Sequence, residues 1–173
     1  MDESDALAAV VARDEIRQLP YRYAKAIEAR DVDSMVGLYS PNARFGTFGE
    51  GAGALRQLMA QSLEDSVFAV ILVTNHIIEF DGTDEAHGEV WAHCFAQSGN
   101  GFVEQLIRYD DRYERHDGRW LFLHRKHRLW YGVNRDSPLM QHPANWPASQ
   151  VGVGDIPLAD RRFRDWWEGM ACG

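Results

Sequence analysis

The chain has 173 residues, 45% hydrophobic and 25% charged, the size and balance of a single globular domain, not of a disordered chain. A formal charge of −8 argues against a nucleic-acid partner, which needs a basic face, and no stretch is apolar over the length a bilayer-crossing helix requires. Cys94 and Cys172 are too few for a disulfide framework and lack metal-ligand spacing. The acidic opening MDESDALAAVVARDE lacks the basic segment of a secretion signal, so the expected address is cytoplasmic.

Apolar residues at Val11, Ile16, Leu19, Tyr23, Ala26 and Ile27 recur three or four apart and predict one amphipathic helix over 5–30, which Pro20 should kink or divide. Asp31 reads as the cap of a short second helix through Met35, Val36 and Leu38, ended by Ser40-Pro41-Asn42. Leu55, Leu58, Met59 and Leu63 mark a third. From Val67 the pattern becomes β-branched and aromatic. Four strands are expected, over 67–80, 86–97, 102–115 and 119–133, separated by turns at Asp81-Gly82, Ser98-Gly99-Asn100-Gly101 and His116-Asp117-Gly118. Helices followed by an antiparallel meander is an α+β order, with the N-terminal helices packed on the concave face of a curved sheet. Beyond Asn134 prolines 138, 143, 147 and 157 interrupt any period until a short helix over 158–170. The expected organisation is a cone domain over 1–133 and a C-terminal extension over 134–173 that packs on the domain or on a partner subunit.

Three segments carry a family resemblance: Tyr23-Ala24-Lys25-Ala26-Ile27-Glu28-Ala29-Arg30-Asp31, Thr74-Asn75-His76-Ile77-Ile78-Glu79-Phe80-Asp81-Gly82, and Tyr113-Glu114-Arg115-His116-Asp117-Gly118-Arg119-Trp120. In register with the element order, over about residues 8–132, they resemble the SnoaL-like branch of the nuclear transport factor 2-like superfamily, which includes scytalone dehydratase, bile acid dehydratase and lindane dehydrochlorinase. The resemblance implies a cone holding a small hydrophobic molecule, no cofactor, and a homo-oligomer, dimer or trimer. It also implies an acid at the end of the first helix, here Glu28, with a tyrosine before it, Tyr23, and a substrate-facing arginine, Arg125. The family's histidine falls on Ile71, so half of its aspartate–histidine pair is missing here.

Side chains alternate across a strand, so one inward residue fixes the rest unless a bulge intervenes. With Ile71 inward, Val73 and Asn75 follow, and pairing adds Val90, Ala92, Cys94 and Ala96. The third strand then contributes Ile107, Tyr109 and Asp111, and the fourth Leu123, Arg125 and His127. His76 should point outward. Two readings of this set stay open. In one, Glu28 is buried with a raised pKa and accepts a proton, Tyr23 or Tyr109 donates to an oxyanion, and His127 replaces the lost imidazole. In the other, Glu28 and Arg125 form a buried ion pair that merely orders the helix.

His76, His93 and His124 do not converge, so no metal site is expected. Within His124-Arg125-Lys126-His127-Arg128 the charges alternate between faces, and the outward group reads as solvated. Cys94 reads as a wall residue, and Trp146, Trp166 and Trp167 as a seal for the tail. Trp91, His93 and Phe95 make the outer sheet face aromatic, which suggests self-association. Two functions follow: a cofactor-free lyase or isomerase of dehydratase or cyclase type acting by acid–base chemistry on a hydrophobic cyclic substrate, or a non-catalytic ligand-binding or assembly subunit of the same fold.

Overall fold

A computed structural model describes residues 3–99, 101–135, 143–144, 148 and 152–171; the expectations for Asn100, Pro138, Trp146, Pro147 and Cys172 lie outside these. The first helix, α1 (Glu3–Ala29), is continuous through the buried Pro20, so the expected division does not occur. Proline removes one main-chain donor, and burial of Ile16, Leu19, Ala26 and Ile27 along one face holds the helix across that gap. Val11, counted with that face, is 50% exposed. Asp31 caps α2 (Val32–Val36) by accepting from the Ser34 amide at 2.9 Å, which satisfies a donor the helix leaves free. Met35 from α2 and Leu55 and Met59 from α3 (Gly51–Leu63) close a core layer against Ala26 and Ile27.

Four long strands follow: β1 (Ser66–Phe80), β2 (Glu85–Ser98), β3 (Gly101–His116) and β4 (Arg119–Arg135). They pair antiparallel in the order β1-β2-β3-β4, so β1 and β4 are free edges of an unclosed sheet. The segment at Leu38–Ser40 runs beside β4 through Ser40 N–H to the Phe122 carbonyl and Phe122 N–H to the Leu38 carbonyl, both 2.9 Å. Helices α1 to α3 cover the concave face. This is the α+β cone expected from the element order.

Two irregularities decide which side chains enter the cone. On β1, Val73 pairs with Ala92 but His76 pairs with Val90, so three residues of β1 span two of β2. The alternation reverses there: Asn75 is exposed, whereas His76 is half-buried and Ile78 is buried. On β4, Phe122 pairs with Tyr113 and His124 with Arg112, which makes Leu123 the extra residue. Phe122 and Arg125 therefore both turn inward, where the sequence alone placed Leu123.

The C-terminal segment returns as α4 (Asp155–Ala159) and α5 (Arg161–Ala171). Phe163, 1% exposed, sits with Val67 and Val153, its ring 5.9 Å from Phe68 and 5.4 Å from Trp166. Arg30 ties the end of α1 to this segment by donating to the Val67 carbonyl at 2.8 Å and to the Asp160 carboxylate. Trp166 donates its indole N–H to the Gly99 carbonyl at 3.1 Å.

Candidate active site

The inward residues of β1, β3 and β4 bring one polar group of side chains into an otherwise apolar cone. β2 supplies its wall: Val90, Ala92 and Cys94 are buried with Ile107 and Tyr109, and Tyr23, Ile71 and Val73 pack against them. At one end of this wall lie Asp111 and Arg125, whose side chains are 0% and 3% exposed.

The guanidinium of Arg125 is boxed by three rings, 3.9 Å from the centroid of Tyr109, 4.5 Å from Tyr23 and 4.6 Å from Phe122. Ring faces carry partial negative charge and hold a cation, yet they accept none of its N–H bonds in full. Its Nε lies 3.2 Å from Asp111 Oδ1, but not in hydrogen-bond alignment. Nε, both Nη atoms and Asp111 Oδ1 are thus buried with no hydrogen-bond partner. Unpaired charged donors in a dry site are costly to the fold. The charge of Asp111 beside the guanidinium offsets part of that cost.

Asp111 has its other oxygen engaged. Tyr113 donates its hydroxyl to Asp111 Oδ2 at 3.0 Å, and His76 Nε2 lies 3.0 Å from that same hydroxyl oxygen. A phenol has one proton, already given to Asp111, so Nε2 is the donor and carries the hydrogen. Nδ1 of His76 is then the bare acceptor, and it is buried without a partner. Gly88 makes the arrangement possible. A Cβ there would fall 2.4 Å from the Ile77 carbonyl oxygen of the neighbouring strand, while the Tyr113 ring, 3.4 Å away, packs against the bare backbone.

The protonation states follow from burial. Desolvation pushes Asp111 up to about 6, with the attraction of Arg125 opposing it. Desolvation, assisted by the positive charges of Arg125 and Arg17, lowers His76 to about 4, so the imidazole is neutral at pH 7. Burial also raises the hydroxyls of Tyr23, Tyr39 and Tyr109, which remain neutral donors, and lifts the Cys94 thiol to about 11, far from a thiolate.

Several residues named from sequence lie elsewhere. Glu28 is outside this cluster: its side chain is 39% exposed and pairs with Lys25 at 3.2 Å, beside a cleft of about 150 Å³ formed with Phe68, Ile156, Pro157 and Phe163. The expected Glu28–Arg125 pair is not formed, because Asp111 holds that position. His127 faces the ring of Tyr109 at 5.7 Å but is largely exposed. His93 is taken up by Glu104 at 2.8 Å on the outer face. Among the described residues no three His, Cys, Asp or Glu side chains converge as metal ligands. His76 is the residue that sequence parity missed.

A family model described as a SnoaL-like domain matches residues 8–126. The chain belongs to this SnoaL-like family. Among solved structures, the hexachlorocyclohexane dehydrochlorinase LinA-type3 from Novosphingobium barchaimii superposes on the SnoaL-like chain with TM-score 0.69 at 20% identity, covering 75% of this chain and 94% of its own. A putative scytalone dehydratase from Novosphingobium aromaticivorans gives 0.66 at 15% identity, covering 77% and 93%. A protein of unknown function from Mycobacterium tuberculosis, Rv3472, gives 0.60 at 20% identity and spans 99% of this chain and 92% of its own. Likeness at these identities establishes the nuclear transport factor 2-like fold. No curated protein is matched by the sequence.

Proposed function

We propose that this SnoaL-like protein binds a hydrophobic cyclic molecule with one acceptor oxygen against Arg125, and acts on it as a cofactor-free lyase or isomerase through acid–base chemistry. The observation that carries the reading is the guanidinium itself, buried among Tyr23, Tyr109 and Phe122 with none of its nitrogens hydrogen-bonded. A carbonyl oxygen that gains negative charge during reaction would meet a fixed cation and neutral phenols, in a site with little water to screen them. The dehydrochlorinase and dehydratase among the structural neighbours are compatible with chemistry of this class.

The test is a thermal-shift screen of ring compounds that differ only in an acceptor oxygen, on the wild type and on Arg125→Lys. Lysine keeps the positive charge beside Asp111 but lacks the planar fork of donors. Ligands with a carbonyl or phenolic oxygen should raise the melting temperature of the wild type by mass action. They should bind Arg125→Lys roughly tenfold to hundredfold more weakly, as loss of a hydrogen bond to a charged group implies. Equal binding by the two proteins, or no preference for the oxygenated rings, removes Arg125 from the site. Glu28→Gln should bind as the wild type does.

The second reading, an assembly subunit, is favoured by a different observation. On the outer face Leu72, Ile77, Trp130 and Tyr131 are each at least half exposed, an apolar band of the kind that another protein surface covers.

A further inference from the structure

We propose that His76 is the catalytic base of the cone, and that Tyr113 and Asp111 carry the proton onward, so that charge leaving Asp111 reappears on the substrate oxygen beside Arg125. The proposal rests on the reading of Arg125 given above and extends it to a substrate class, carbonyl compounds with a hydrogen on the neighbouring carbon.

The geometry is a hydrogen-bonded chain from His76 Nε2 to the Tyr113 hydroxyl at 3.0 Å and from that hydroxyl to Asp111 Oδ2 at 3.0 Å, with Arg125 Nε ion-paired to Asp111 Oδ1 at 3.2 Å. Its far end, His76 Nδ1, is an unpaired buried acceptor. In the step, the substrate C–H bond breaks, its electron pair becomes the enolate double bond, and the proton joins Nδ1. The Nε2 proton passes to the Tyr113 oxygen as the phenol proton passes to Asp111 Oδ2. His76 and Tyr113 finish neutral, Asp111 finishes as a neutral carboxylic acid, and the enolate holds the negative charge. Nothing is oxidised or reduced, and reversal returns a proton to carbon.

Electrostatics favours this route over a histidine acting alone. An imidazolium at His76 would face the positive charges of Arg17 from α1 and Arg125 from β4. Like charges repel strongly where water is scarce. Through the relay, one negative charge moves from Asp111 to the substrate oxygen, and Arg125 exchanges one anionic partner for another. The groups that bear on Asp111 are Arg125, Tyr113 and its neighbour Asp110, and none of them needs to change charge.

The probe is 2-tetralone, a hydrophobic cyclic ketone, with exchange of its C1 hydrogens followed by proton NMR in heavy water. Wild type should accelerate exchange, with a rate that declines as pH falls below about 6, where Asp111 takes up its proton. Tyr113→Phe preserves the ring but cuts the chain, and His76→Gln removes the base. Each should lower the exchange rate about a hundredfold or more, the scale of general base catalysis. Both should still bind 2-naphthol, a planar mimic of the enolate. Exchange within threefold of wild type in Tyr113→Phe, a wild-type rate with no decline below pH 6, or no exchange above background in wild type overturns the relay. Failure of wild type to bind 2-naphthol counts instead against the Arg125 reading. A measurement on the resting protein is independent of turnover: nitrogen-15 NMR of labelled histidine should show His76 neutral with its hydrogen on Nε2 at pH 6. A hydrogen on Nδ1 there also overturns the proposal.

Discussion

His76 and Asp111 are joined through the Tyr113 hydroxyl, and burial moves their pKa values in opposite directions. The pKa of His76 falls from 6.5 to about 4 because burial and two arginines disfavour the imidazolium. That of Asp111 rises from 3.8 to about 6 because burial disfavours the carboxylate. The consequences for stability have opposite sign. Between pH 6.5 and 4 the unfolded chain binds a proton at His76 that the folded chain refuses, so this residue lowers stability as pH falls. Over nearly the same interval the folded chain binds a proton at Asp111 that the unfolded chain does not, which raises stability as pH falls. His76→Gln removes only the first contribution. Its stability deficit relative to wild type in urea unfolding should therefore be smaller at pH 5 than at pH 7, by about 1 kcal/mol once partial exposure of the histidine is allowed for. An equal deficit at both pH values would mean that His76 keeps its ordinary pKa in the folded protein.

At the scale of elements, the C-terminal segment is fastened to the domain by a buried aromatic anchor, beside the polar ties of Arg30 and Trp166. Phe163 is 1% exposed and contacts Phe68, Trp166 and Trp167. Phe163→Ala should cost about 3 kcal/mol, the usual penalty for emptying such a site, in a single urea transition. A preceding minor transition with an unchanged main one would show that α4 and α5 melt separately from the cone. Elements of this kind were legible in the sequence wherever the hydrophobic period ran unbroken. The strand bounds agree to within two residues, and parity placed Val90, Ala92, Cys94, Ile107, Tyr109 and Asp111 inward as found. It failed on β1 and β4, because an extra residue in a ladder is a property of the pairing and leaves no mark on either strand alone. Hence Asn75 and His76 exchanged faces, and Phe122 took the side assigned to Leu123. Glu28 was misplaced for a helical reason. Five residues after Tyr23 is roughly 140° around an α-helix, so a helix that turns Tyr23 into the cone carries Glu28 out of it.

For the molecule as a whole, the convex side of the sheet exposes several large apolar side chains, Leu72, Ile77, Trp130 and Tyr131 among them. Trp130 is 73% exposed and leans on Trp91 with ring centroids 5.5 Å apart, beside Tyr131. We expect homo-oligomers through this band, measured by light scattering, and Trp130→Lys should shift the population to monomer at micromolar concentration. An unchanged mass in that variant would place any interface elsewhere.

The position of β4 at the rim of the sheet adds a constraint on how copies meet. Its main chain is matched near Phe122 by the Leu38–Ser40 segment, while the stretch just beyond carries His124, Lys126 and Arg128 on one side. A second copy attempting to lengthen the sheet by laying its own β4 alongside would bring its Lys126, a charge of the kind that guards sheet edges, towards this strand. Open-ended lateral growth through that edge is thereby disfavoured.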